Sequence, residues 1–238
     1  LHSDTHSFPT RRSSDLETVR RAVEYNMQLA IKHMKENEME IDWNELVNEA
    51  EELYDNIFNL RQTVAGRTLW VGDTEVSKKF PLSNFNCSFL VLDDFEDYSE
   101  LFYLLMVGAG VGFRVLPEDV EQLGKYRYNV EIDMVNYRPV KVENRNEYTD
   151  IETSNDGKTA TVIVGDSKEG WIKALDFYFE MLTSPLYRGI EEIRFNFNNV
   201  RPKGERLKTF GGTASGHGSI KRMFRKIHKI MQKAKGRL

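Results

Sequence analysis

"SFLVLDDFEDYSELFYLLMVGAGVGFRV" (residues 88–115) carries the most information about the fold. "SFLVL" (Ser88–Leu92) is a short apolar run of strand length, which predicts a buried strand. "DDFEDYSELFYLLMV" starts a helix, with Asp93 or Asp94 as N-cap and an acid three residues on. "VGFRV" (Val111–Val115) predicts a second strand. A strand, a helix and a strand in succession argue for an α/β layer or barrel. The intervening "GAGVGF" (Gly108–Phe113) is a weak dinucleotide signal, because it follows a helix and precedes a strand, the reverse of the dinucleotide-binding order. Its glycines fit close approach of chain or ligand better.

Upstream, Glu17 to about Lys35 predicts a helix with Val19, Ala22, Val23, Met27, Ala30, Ile31 and Met34 on one stripe. Asn44–Arg61 predicts a second, with Leu46, Val47, Ala50, Leu53, Tyr54, Ile57 and Phe58 inward. Together they suggest an N-terminal helical region over 17–80. Downstream, 118–160 is polar, with weak strand signals around "NYRPVKV" and a turn at "SNDGKTA", and reads as an excursion. "TATVIV" predicts a strand and "DSKEGWIKALDFYFEMLT" a helix with Trp171, Ala174, Leu175, Tyr178 and Leu182 inward. "IEEIRFNF" alternates, placing Ile193, Phe195 and Phe197 on one face. A basic amphipathic helix with Ile220, Met223, Phe224, Ile227, Ile230 and Met231 closes the chain.

Of 238 residues, 40% are hydrophobic and 29% charged, as in a soluble globular protein. The single cysteine, Cys87, excludes a disulfide framework and a Cys-based zinc site, and fits a reducing cytosol. No apolar run reaches the roughly 18 residues that a membrane span needs. "LHSDTHSFPTRRSSDL" (residues 1–16) lacks periodicity and resembles a translated sequencing adapter, so it is set aside from the fold. Net charge is −4, but Arg201–Leu238 holds twelve Lys/Arg and one acid, leaving −15 on the rest. Such asymmetry suggests a polyanion near the basic part, or an acidic counterpart further along a longer chain.

"RPKGERLKTFGGTASGHG" (Arg201–Gly218) follows a strand and precedes a helix. Its glycines allow main-chain N–H groups to point at an anion, and its basic residues can neutralise phosphate. It reads as a phosphate-cradling loop, or otherwise as a surface loop. The acidic cluster Asp93, Asp94, Glu96, Asp97 and Glu100 is explained by helix capping and a solvated face rather than by a metal. Cys87 reads either as a buried structural cysteine or as a redox thiol, which needs a second thiol. A different class of reading is a nucleic-acid-binding module on Arg201–Leu238. The apolar stripe of the last helix argues against it, leaving its basic residues as a solvated face.

"AGRTLWVGDTEVSKKFPLSNFNCSF", "LFYLLMVGAGVGFRV", "VGDSKEGW" and "VRPKGERLKTFGGTASG", in this order, resemble the adenosylcobalamin-dependent (class II) ribonucleotide reductases, in their monomeric ribonucleoside-triphosphate branch. The resemblance runs from about Glu17 to Leu238. A class I or class III reductase is the alternative within the same fold. The resemblance implies the first half of a ten-stranded α/β barrel over 81–238. It also implies that the chain is an N-terminal piece, inactive alone, whose partner cysteine, radical cysteine and proton-shuttling Asn/Glu pair lie elsewhere. Cys87 falls where the family carries a redox-active thiol. Asn86 and Gly110 match positions that hold the substrate ribose and phosphate. Gly211, Gly212, Thr213, Ser215 and Gly216 match a phosphate-side segment. Arg201, Pro202, Lys203 and Gly204 match the loop that couples effector to substrate choice, and Asp94 an acid that contacts effector in dimeric relatives. Implied partners are a ribonucleoside triphosphate, a deoxynucleotide effector and a thioredoxin-like reductant, with adenosylcobalamin as cofactor and a cytoplasmic location.

Overall fold

The computed structural model describes residues 11–207 and 212–234. The chain falls into two compact units, one of residues 1–87 with 107–109, the other of 88–106 with 110–238.

In the first unit, α1 (Arg11–Glu36) begins six residues before the predicted start, inside the segment set aside above. Val19 and Val23 of α1 meet Ile57 of α2 (Trp43–Phe58) in a small core, with Met27, Leu53, Tyr54 and Phe58 packed around it. Asp42 caps α2, its carboxylate accepting from the amides of Asn44 (2.9 Å) and Glu45 (3.1 Å). Val47, predicted inward, is instead exposed, at the edge of the stripe. Two short helices that periodicity did not predict follow, α3 (Gly66–Val71) and α4 (Glu75–Lys79). A 3-10 turn (Pro81–Asn84) then leads to β1 (Cys87–Val91).

The second unit holds most of β1, α5 (Phe95–Met106), β2 (Gly110–Arg114) and α6 (Pro117–Gln122). β1 and β2 form a two-stranded sheet. The expected burial of the first strand is not found, since Phe89 is 67% exposed. A pair of strands has too few neighbours to cover both faces. Beyond β2, the fully buried carboxylate of Asp119 accepts from the Leu116 amide (2.8 Å) and from Arg114 Nε (3.0 Å) and Nη2 (2.7 Å). One acid thus starts α6 and ties down the end of β2.

A four-stranded sheet follows in the order β3-β6-β5-β4. It consists of β3 (Glu131–Met134), β4 (Asp150–Thr153), β5 (Thr159–Ile163) and β6 (Glu192–Asn196). β4 and β5 are an antiparallel hairpin, Ile151 opposite Val162. Its turn has Gly157 at φ +70° and Asp156 accepting from Ser154 Oγ and the Lys158 amide. β6 runs parallel to both β3 and β5, Phe195 opposite Met134 and Val162. Parallel neighbours need a crossover, and α7 (Lys168–Thr183) supplies it between β5 and β6. The 118–160 segment, polar in sequence, delivers β3 and β4 to this sheet.

Ile193, Phe195 and Phe197 enter one core with Val162, Tyr178, Leu182, Ile220 and Phe224. The Phe195 and Phe224 rings stack at 4.1 Å. α8 (His217–Lys233) contributes Ile220 and Phe224 to this core, whereas Ile230, expected on the same stripe, is exposed. The described residues form an α/β arrangement of helices and small sheets, with six strands in sheets of two and four; they do not by themselves show the barrel of which a first half was expected.

Candidate functional site

The candidate residues are divided between the two units. Asn86 and Cys87 belong to the first, and both are exposed. Cys87 opens β1 rather than preceding it and is a free thiol. The turn before it is well held: Asn84 Nδ2 donates to Tyr25 Oη and to the Pro81 carbonyl, each at 2.9 Å. Arg67 of α3 reaches the Ser83 carbonyl at 3.4 Å.

In the second unit Gly110 begins β2. Asp94 lies just before α5 and has a structural task. Its Oδ1 accepts from the Glu96 amide (2.9 Å), while Asp97 accepts from the amides of Asp93 (3.0 Å) and Asp94 (2.7 Å). These carboxylates satisfy the orphan donors of a helix start, as the sequence predicts.

The structure brings residues 201–207 and 212–216 together between β6 and α8. Ala214 accepts from the Gly204 amide and donates to the Glu205 carbonyl, and Arg206 bridges Thr213. Gly212 (φ +82°) accepts from the Leu207 amide. Gly211 lies outside the described residues. Gly216 (φ +72°) precedes α8, and a Cβ there would stand 2.8 Å from the Lys203 nitrogen. Only glycine lets the loop close on itself at that point. Ser215 and Ser219 share a hydroxyl contact of 3.0 Å.

A chain of four charges that sequence reasoning missed holds the base of this loop. Asp166 Oδ1 accepts from the main-chain nitrogen (2.9 Å) and Nε (3.0 Å) of Arg201. Arg145 Nη1 approaches Asp166 Oδ2 at 3.5 Å and forks onto Glu205, Nη1 to Oε1 at 2.7 Å and Nη2 to Oε2 at 2.9 Å. The Glu205 bond, before all else, raises the Arg145 pKa above its ordinary value. The signal for Asp166 was its place in "VGDSKEGW"; Arg145, in a polar stretch, had none.

The glycines of that motif also have a physical reason. Cβ atoms on Gly165 and Gly170 would stand 2.3 and 2.6 Å from the Glu147 carbonyl oxygen. In α8 the apolar stripe lies against the core, so its basic residues form the helix's outer face.

Two family models match in order: "Ribonucleotide reductase alpha domain" over residues 8–74 and "B12-dependent ribonucleotide reductase, insertion domain" over 133–231. The chain is similar to the B12-dependent (class II) ribonucleotide reductases. Adenosylcobalamin-dependent ribonucleoside-triphosphate reductases of Lactobacillus helveticus and Lactobacillus leichmannii are 27% and 28% identical over 92% and 93% of the chain. That of Lacticaseibacillus paracasei is 29% identical over 90%. A crystal structure of a B12-dependent class II ribonucleotide reductase superposes with a TM-score of 0.73 at 25% identity, over 91% of this chain and 34% of that one. The chain spans about a third of the length of the curated relatives it matches. The first reductase match starts within residues 1–16, as does α1.

A cleft between β3 and α8, lined by Ile132, Asp133, Met134, Arg225, His228 and Lys229, measures about 250 Å³, far too small for a corrinoid with its nucleotide tail. With about a third of the relatives' length spanned, this fits a cofactor whose binding residues lie mostly elsewhere. Among the described residues no cluster of His, Cys, Asp and Glu could hold a metal ion, and no helix is long and apolar enough to cross a membrane.

Proposed function

We propose that this chain works as part of an adenosylcobalamin-dependent ribonucleoside-triphosphate reductase, in which Cys87 is one of the two reducing thiols. The observation that carries the reading is an exposed cysteine opening β1, in a chain matched in order by two reductase family models. The chemistry balances. Two thiols lose two electrons and two protons to become a disulfide, and the ribose carbon exchanges its hydroxyl for hydrogen as water leaves. A dithiol reductant of the thioredoxin class then restores the thiols, as a reducing cytoplasm allows.

In this reading Asn86 and the backbone at Gly110 hold the ribose and its phosphate. Gly211, Gly212, Thr213, Ser215 and Gly216 line the phosphate side. Arg201, Pro202, Lys203 and Gly204 pass the identity of a deoxynucleotide effector to the substrate, with Asp94 near that effector. We place β1 and β2 in the first half of a ten-stranded barrel. The insertion-domain match supports assigning 133–231 to a separate layer, in place of the 118–160 boundaries.

The test is a chimera in which this chain replaces the matching third of the Lactobacillus leichmannii relative, assayed with adenosylcobalamin, a ribonucleoside triphosphate and a dithiol. Turnover that Cys87→Ser abolishes is the expected result. A chimera that turns over equally well with serine at this position would end the reading.

A further inference from the structure

Arg67 has no task in the function proposed above, yet it joins three segments of the first unit. It projects from α3, and its guanidinium is directed at main-chain carbonyls. Nη1 lies 3.4 Å from the Ser83 oxygen and 3.3 Å from that of Val107, and Nη2 donates to Gly108. Ser83 belongs to the fully buried part of the turn four residues before Cys87. Val107 and Gly108 belong to the turn that opens β2. The Trp70 ring lies 5.6 Å from the guanidinium carbon, within cation–π range.

Gly108 sits at φ +85°, a backbone conformation that favours glycine, and the Arg67 guanidinium packs against it, with Nη2 2.9 Å and Nη1 3.3 Å from where a Cβ would stand. The first glycine of "GAGVG" thus answers to its own backbone, with the cation seated beside it. A planar fork serves three carbonyls on two turns. A lysine ammonium is a point charge on a flexible stem and cannot reproduce that geometry.

We propose that Arg67 is a positioning residue for the Cys87 thiol, fixing the turn that presents Asn86 and Cys87 against the turn at Gly108. The proposal rests on the reading of Cys87 as a reducing thiol, and two measurements separate the fate of each.

The first is amide hydrogen exchange on this chain. In Arg67→Lys, residues 83–87 and 107–109 exchange together at least about tenfold faster, while 43–58 is unchanged. Ile57→Ala, which loosens the α1/α2 core, serves as the control and accelerates 43–58 instead. Unchanged protection in Arg67→Lys, or loss spread as in Ile57→Ala, overturns the proposal.

The second uses the chimera. Misplacing a reacting group costs kcat more than KM, so Arg67→Lys lowers kcat about a hundredfold with KM within about twofold. Methylguanidinium added to Arg67→Ala restores part of kcat, whereas methylammonium does not. Wild-type kcat in Arg67→Lys, or a rise in KM alone, overturns the positioning role even where Cys87→Ser is inactive. Turnover that survives Cys87→Ser overturns the thiol reading, whatever Arg67 does.

Discussion

At the scale of single residues, two histidines of the second unit make its stability depend on pH. His228 Nδ1 meets Tyr178 Oη at 3.1 Å, and its other nitrogen lies 3.4 Å from Gln232 Nε2. Burial lowers its pKa below the ordinary 6.5, opposed by the Glu131 carboxylate; Asp133, Arg225 and Lys229 line the same cleft. His217, stacked on Tyr137 at 3.7 Å, is lowered by burial first and by Lys221 second. With the folded pKa below the unfolded one, the unfolded chain binds more protons as the solution acidifies. The stabilisation is therefore present above pH 6.5 and is lost as pH falls through the depressed values. The melting temperature of the second unit should drop between pH 7.5 and 5.5, and a His217→Gln/His228→Gln double variant should lose most of that drop. An unchanged slope would assign the dependence to other groups. Gly165 gives a second prediction at this scale. With the Glu147 oxygen 2.3 Å from where a Cβ would stand, Gly165→Ala must move backbone. A loss of about 3 kcal/mol in urea unfolding is expected, at the upper end for overpacking.

At the scale of elements, the loop after β6 is held at its base by charge. Arg145 and Asp166 have side chains only 8% and 9% exposed, and each answers to two partners, with Glu205 and Arg201 at the ends of the chain. Removing one member of a buried set leaves the others uncompensated, so Arg145→Met should cost about 3 kcal/mol. Amides of 201–207 should lose exchange protection before those of β5 and β6. Glu205→Gln keeps an acceptor and should cost only about 1 kcal/mol. Equal losses in the two variants would mean that the network contributes as packing rather than as paired charge. The elements differ in how legible they were. β5, α7 and β6 were readable because one face of each meets apolar neighbours, so periodicity reports burial directly. β3 and β4 hid in a polar stretch because they are the edges of their sheet, where half of the side chains face water. Cys87 and the glycines were legible as residue types with few structural alternatives. Arg67 and Arg145 were not, because an arginine that binds distant carbonyls or acids looks like any surface arginine until the chain is folded.

At the scale of the whole molecule, the two units have very unequal cores. The second has one continuous cluster running from Val130 to Phe224, with Tyr178, Phe195 and Phe224 among its fully buried side chains. The first has a cluster whose buried members are Val19, Val23 and Ile57. Stability scales with apolar surface removed from water, so the first unit should unfold at lower denaturant. The sequence carried only part of this warning: α1 is clearly less amphipathic than α8, with α2 between them. The rest of the difference lies in how much apolar surface faces each stripe, which is a property of the folded chain. Two transitions are expected in urea, followed by far-UV circular dichroism and by exchange at individual amides. Ile57→Ala should shift the first midpoint and leave the second in place. Phe195→Ala, which removes the ring stacked on Phe224, should lower the second by the equivalent of about 4 kcal/mol without moving the first. A single transition displaced equally by both substitutions would mean that the units melt as one cooperative body.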